Sequence, residues 1–117
     1  MAGKNIVLDK SYSFALRIVK LYVYLRKEKG EFHLSVQIIK SGTSIGANIE
    51  EAIGGSSRRD FKAKLDIAYK EARETRYWIR LLRDSEIIDN TISNSLIKDC
   101  EELIKLLTAI LNTLKSN

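Results

Sequence analysis

Residues 41–52 read SGTSIGANIEEA, two glycines among three hydroxyl residues running into a pair of glutamates. Glycine- and hydroxyl-rich turns that open a helix hold phosphate groups through backbone N–H donors. The same small residues in the middle of a helix let a neighbouring helix come close. A phosphate loop joins a strand to a helix, and the Walker form ends in Lys-Ser or Lys-Thr. Here the segment continues LSVQIIK (34–40), and Leu34, Ile38, Ser41, Ile45, Ile49 and Ile53 recur at helical spacing straight through it. No such Lys-Ser/Thr ending follows. The stretch therefore predicts a helix thinned at Ser41, Gly42, Ser44, Gly46 and Ala47. A mid-helix glycine costs about 1 kcal/mol relative to alanine, so a close helix contact must offset it.

The same spacing extends in both directions. From Tyr12 to Lys29, Phe14, Ile18, Leu21 and Leu25 share one face, with Ala15, Val19 and Tyr22 alongside, until Gly30 breaks the run. Gly54-Gly55 stops the second helix, and Ser57 is the natural N-cap of a third, with Asp60 in its first turn. Phe61, Leu65, Ala68, Ala72, Thr75, Ile79 and Leu82 then alternate steps of four and three, the seam of a left-handed bundle. After DSEIIDN (84–90), Ile92, Leu96, Cys100, Leu103, Leu107, Ile110 and Leu114 mark a fourth helix. Connections this short make neighbours antiparallel, which predicts an all-α, antiparallel up-down-up-down four-helix bundle, one domain over 1–117.

Composition agrees. The 117 residues include no proline, and the formal net charge of +5 suits an anionic partner. Cys100 is the sole cysteine, so no intramolecular disulfide forms and a reducing compartment is expected. The opening MAGKNIVLDK lacks the apolar core of a signal peptide, and no apolar run is long enough to span a bilayer. The expectation is a cytoplasmic protein with no membrane partner.

Leu34, Gln37, Ser44, Ile45, Asn48, Ile49 and Glu51 form a pattern, and SRRDF (57–61), IAYKEARET (67–75) and YWIRLLRD (77–84) follow it. Together these resemble the four-helix bundle proteins called 23S rRNA intervening-sequence proteins, over almost the whole chain. Gly46 and Ala52 depart from relatives that have Pro and Gly there. The resemblance implies a bundle encoded, in some bacteria, inside an insert of the ribosomal RNA gene. It is also similar to the accessory variability protein of diversity-generating retroelements, which implies a basic homopentamer that binds nucleic acid and a reverse transcriptase. Symmetry alone makes a dimer the default. The family implies no catalytic residue and no cofactor.

Several constellations compete as functional residues. Glu50, Glu51, Glu71, Glu74, Glu101 and Glu102 suggest a di-metal bundle, but that site needs two Glu-x-x-His elements and His33 is the only histidine. They are expected on helix surfaces. Glu71 and Glu74 fall near Ile67, Trp78 and Leu81 on a second, semi-apolar face of the third helix, so they are expected to bond Ser44, Asn48, a tyrosine or another subunit. Arg26 and His33 loosely resemble the Arg/His element of HEPN ribonucleases, with Gly30 interrupting the helix between them. Cys100 and the serines lack a second histidine to complete a nucleophilic site. Arg73, Arg76, Arg80 and Arg83 step by three, four and three, forming a stripe beside the core seam with Tyr69 one turn above. Four arginines suit bidentate phosphate contacts, and Arg58, Arg59, Lys62 and Lys64 add charge at the start of the same helix. The expected function is a non-enzymatic, oligomeric bundle that binds RNA or DNA through this basic surface. A scaffold for an acidic protein is the second reading and a HEPN-like ribonuclease the third.

Overall fold

The computed structural model of the chain describes residues 5–116. Residues 1–4 and 117, which include part of the opening stretch weighed as a signal peptide and both ends of the expected domain, lie outside the described residues. Four helices follow one another: α1 (Ile6–Glu28), α2 (Leu34–Ile53), α3 (Arg58–Asp84) and α4 (Asn90–Ser116). No strand occurs among the described residues. Each helix packs on the next and α1 also meets α4, which closes the expected bundle at 46 × 27 × 21 Å.

Local chemistry sets the helix ends. α1 starts more than a turn before the stripe at Tyr12, because Asn5 Oδ1 accepts the Leu8 N–H at 3.0 Å and Val7 and Ser11 prolong the buried face. It stops at Gly30, whose φ of +60° lets the Glu31 N–H return to the Leu25 carbonyl at 2.9 Å. Glu31 then caps α2: its carboxylate accepts the N–H groups of His33, Leu34 and Ser35 at 3.1, 2.9 and 2.7 Å. Burial pushes that carboxyl up, but the three N–H bonds outweigh it and hold it below its ordinary range. Ser57 Oγ accepts the Asp60 N–H at 3.0 Å at the head of α3, and Asp89 does the same for Ile92 at 2.8 Å at the head of α4.

The turn between α3 and α4 places Glu86 at φ +62°. A side chain in this left-handed region costs about 1 kcal/mol or more, whereas glycine adopts it freely at some cost in unfolded-state entropy. Glu86→Gly should therefore raise stability by about 0.5–1 kcal/mol, read as a higher urea midpoint. A lower midpoint would show that the glutamate side chain stabilises the turn.

The core seam of α3 is Leu65, Ala68, Ala72, Thr75, Ile79 and Leu82, all buried. The hydroxyls that interrupt the stripes of α2 and α3 meet there, Thr75 Oγ1 against Ser41 Oγ at 2.9 Å. α4 departs from its expected line. Ile92 is 41% exposed, Ile110 and Leu114 are half-buried, and Ser93, Ile97, Ile104 and Leu111 lie in the core instead. α4 packs between α1 and α3, so its buried face is wider than a single line of residues. Val19 is exposed on the outer face of α1, and Ile53 in the last turn of α2 is exposed as well.

The glycines of SGTSIGANIEEA face α1. A Cβ built on Gly42 would stand 2.8 Å from both γ carbons of Ile18, and one on Gly46 would stand 3.2 Å from Ser11 Oγ. The small residues thus sit mid-helix at a close helix contact, not in a loop after a strand.

Candidate nucleic-acid interface

On α3, Lys62, Asp66, Tyr69, Arg73, Arg76, Arg80 and Arg83 alternate steps of four and three, so they share one flank. α4 carries a matching row, Asn94, Lys98, Glu101, Lys105, Thr108, Asn112 and Lys115. Contacts set the rows side by side. Arg76 pairs with Glu101 at 3.6 Å, Arg83 Nη1 donates to Asn94 Oδ1 at 3.0 Å, and a shallow groove of about 180 Å³ runs between Asp66, Tyr69, Thr108 and Lys115. The strip from Lys62 to Arg83 is about 30 Å long at the helical rise. Eight cationic side chains lie along the two rows against two carboxylates, Asp66 and Glu101.

The arginine stripe divides by its bonding. Arg76 and Arg83 are largely buried, with side chains 25% and 26% exposed, and each is tied down. Arg83 also bonds Asp84 at 2.9 Å, and this bond, with Arg80 adding its charge, holds the Asp84 carboxyl below its ordinary range. Arg73 is exposed, 5.7 Å over the Tyr69 ring, and donates to its hydroxyl at 3.3 Å. Arg80, Lys98 and Lys105 are exposed, and no hydrogen bond or ion pair holds them among the described residues. At the start of α3, Arg58 donates to the Leu114 carbonyl at 3.1 Å, a cation on the end of α4. Lys62 pairs with Asp66 at 2.7 Å, Lys64 with Glu51 at 2.8 Å, and Arg59 is exposed. Exposed pairs of this kind contribute about 0–1 kcal/mol, so phosphate can displace them.

The patterned residues collect elsewhere. Gln37, Ser44, Asn48 and Glu51 lie on the flank of α2 beside α3, and Glu71 and Glu74 on the flank of α3 beside α2, joined by the Lys64–Glu51 pair. The bonding expected for the two glutamates does not occur within the chain. Asn48 Nδ2 donates to the Ser44 carbonyl and hydroxyl at 2.8 and 3.0 Å, while Glu74 accepts the Trp78 indole N–H at 3.0 Å. The residues one helical turn apart satisfy one another first. The Glu71 carboxylate accepts no hydrogen bond among the described residues, although its backbone carbonyl accepts the Thr75 hydroxyl at 2.7 Å. Burial, and then the Glu74 charge, raises its carboxyl pKa, with Lys40 partly offsetting.

Among the described residues no hydrogen bond joins Arg26 to His33. Arg26 lies over the rings of Tyr22 and Phe32 at 5.1 and 4.8 Å, and the groove beside His33 is lined by Lys29, Glu31, Phe32 and Glu86 without it. Cys100 is fully buried, its thiol donates to the Ala72 carbonyl at 3.1 Å, and burial pushes its pKa up to about 12. Among the described residues no three metal-binding side chains gather, and no helix is long and apolar enough to cross a membrane. The α4 row was absent from the sequence reading, although its alternation from Asn94 to Lys115 is as regular as that of the arginines.

The sequence profile described as 23S rRNA-intervening sequence protein matches residues 3–109. A crystal structure from Bacteroides thetaiotaomicron VPI-5482, described as a protein of unknown function from the S23 ribosomal protein family, is 52% identical. It aligns over 91% of this chain and 98% of its own, with a TM-score of 0.89. No curated protein matches the chain.

Proposed function

The chain belongs to the 23S rRNA-intervening sequence protein family, and on that premise we propose that it is a non-enzymatic, multi-copy bundle that binds nucleic acid along its α3/α4 face. The paired cationic rows carry the proposal. Arg73, Arg80, Lys98 and Lys105 are exposed and without an ion-pair partner among the described residues, and guanidinium groups match phosphate in shape and charge. The family's name makes RNA the first ligand to try, with DNA beside it. The buried, protonated Cys100, bonded to the Ala72 carbonyl, supports a binding role over a catalytic one.

Fluorescence anisotropy with an arbitrary RNA tests the binding. If four cations each neutralise a phosphate, log K should fall against log salt with a slope of about −3, about 60-fold between 50 and 200 mM. No RNA or DNA binding at low salt would overturn the proposal and leave an acidic protein as the partner of this face. Hydrolysis of the RNA, abolished by His33→Ala, would restore the ribonuclease reading.

A further inference from the structure

The turn between α1 and α2 and the turn between α3 and α4 lie at one end of the bundle, where the cationic row of α3 stops at Arg83. Two hollows join them. One, of about 360 Å³, is lined by Lys29, Arg83, Glu86, Ile87 and Asp89. The other, of about 350 Å³, is lined by Lys29, Glu31, Phe32, Glu86 and Ile87. Because they share Lys29, Glu86 and Ile87, they form one channel that leads from Arg83 to Phe32. Phe32 is 52% exposed. The Arg26 guanidinium lies 4.8 Å from its ring centre and 5.1 Å from that of Tyr22, which braces the ring. An exposed aromatic ring of this kind is a platform on which a nucleobase stacks. Three carboxylates line the channel. Glu31 is taken up by the first N–H groups of α2, and Asp89 by the Ile92 N–H. The Glu86 carboxylate has no hydrogen bond and no ion pair among the described residues, yet this is the residue held at φ +62°.

We propose that this channel holds an unpaired guanine of the bound RNA, stacked on Phe32 and read by Glu86. The proposal rests on the RNA binding proposed for the α3/α4 face and names the base which that face delivers. Phosphate contacts along the strip carry no sequence information, and the strip opens into the channel at Arg83. Only an unpaired base can reach Phe32, because in a helix the faces are stacked and the Watson–Crick edge is occupied. Each hollow has the volume of a small-ligand site, enough for one nucleotide. The carboxylate then selects the base. With both oxygens free it accepts two parallel N–H bonds. Of the four RNA bases guanine alone sets two donors, N1–H and N2–H, side by side on that edge. Adenine, cytosine and uracil each set a single donor beside acceptors, which would turn a lone pair toward a carboxylate oxygen. A glutamate at a left-handed position that glycine would take at lower energy fits a side chain that serves binding.

The experiment is fluorescence anisotropy of the whole chain at low salt, with a short oligoadenylate and with the same strand carrying one central guanine. The wild type should bind the guanine strand about tenfold more tightly, the worth of one bidentate base contact. Annealed to their complements, the two strands should bind alike. Glu86→Gln leaves one of the two acceptors, so it should bring the two single strands close together without changing the salt slope. Glu86→Gly should do the same while raising the urea midpoint, which separates lost recognition from lost folding. Phe32→Ala should weaken both strands, because every base has a face that stacks. Guanosine monophosphate should compete only weakly, since it lacks the contacts along the strip. Competition at the concentration of the RNA itself would make the channel a free-nucleotide site and overturn the RNA assignment. Equal binding of the two strands by the wild type, or a preference that survives Glu86→Gln, would overturn the guanine site and leave the α3/α4 reading standing. No binding of either strand would overturn both.

Discussion

Changing Arg73, Arg80, Lys98 and Lys105 together to glutamine should abolish RNA binding at physiological salt and leave the bundle folded. Glutamine keeps helix propensity close to that of arginine and lysine. None of the four is held by an ion pair among the described residues, so no buried partner is stranded. Each removed cation should lower the salt slope by about 0.7 to 0.9, and four should bring it close to zero. The loss should be similar across RNA sequences, because phosphate contacts position a ligand without reading its bases. Arg76→Gln with Arg83→Gln gives the contrast. Those side chains already serve Glu101, Asp84 and Asn94, so their loss should weaken binding less per residue. Anisotropy titrations with circular dichroism melts on both variants check this. Undiminished binding by the fourfold variant would move the footprint to Arg58, Arg59 and Lys62.

Replacing Gly42 with leucine should destabilise the bundle by about 1–3 kcal/mol or more. A β carbon there would lie 2.8 Å from Cγ1 and Cγ2 of Ile18 and 3.2 Å from its Cβ. Ile18 is fully buried and branched at those atoms, so it has little freedom to swing away. Even Gly42→Ala, which favours a solvent-facing helix by about 1 kcal/mol, should here be destabilising. Gly46→Leu should cost less, since its nearest neighbour is the Ser11 hydroxyl at 3.2 Å and it borders an open groove of about 590 Å³ between α1 and α2. Urea denaturation of the three variants gives the order. A stabilised Gly42 variant would show that α1 and α2 are not held at this spacing. Ile18→Ala combined with Gly42→Ala should cost less than the sum of the two single changes, because alanine removes both γ carbons that the new β carbon would meet.

The fold was legible because each helix repeats its core residues at three and four over several turns. SGTSIGANIEEA was resolved by Ile38, Ile45 and Ile49 running through it, which no loop would preserve. Ser57 gave the head of α3 through a bond between near neighbours. The start of α1 was missed because its signal is one residue, Asn5, outside the apolar stripe. Glu31 was missed because it caps α2 from two residues before the N-cap position. Of the candidate interface, the arginine row could be read from one helix. Its partition into tied and free side chains could not, since Glu101 and Asn94 come from α4 and spacing within α3 says nothing of them. Val19, read alongside the buried stripe of α1, lies on the outer face instead, because it falls off the three-and-four spacing of Phe14, Ile18, Leu21 and Leu25.

Ultraviolet crosslinking of the wild-type protein to a labelled RNA, with the attached peptides identified by mass spectrometry, tests the α3/α4 interface most directly. Tyr69 lies inside the cationic row beside Arg73, and its ring offers a crosslinking group where the backbone should run. Crosslinks should fall on Tyr69 and on the peptides carrying Arg73 to Arg83 and Lys98 to Lys105, and should vanish in the fourfold glutamine variant. Crosslinks confined to α1, at Tyr12, Tyr22 or Tyr24, would contradict it.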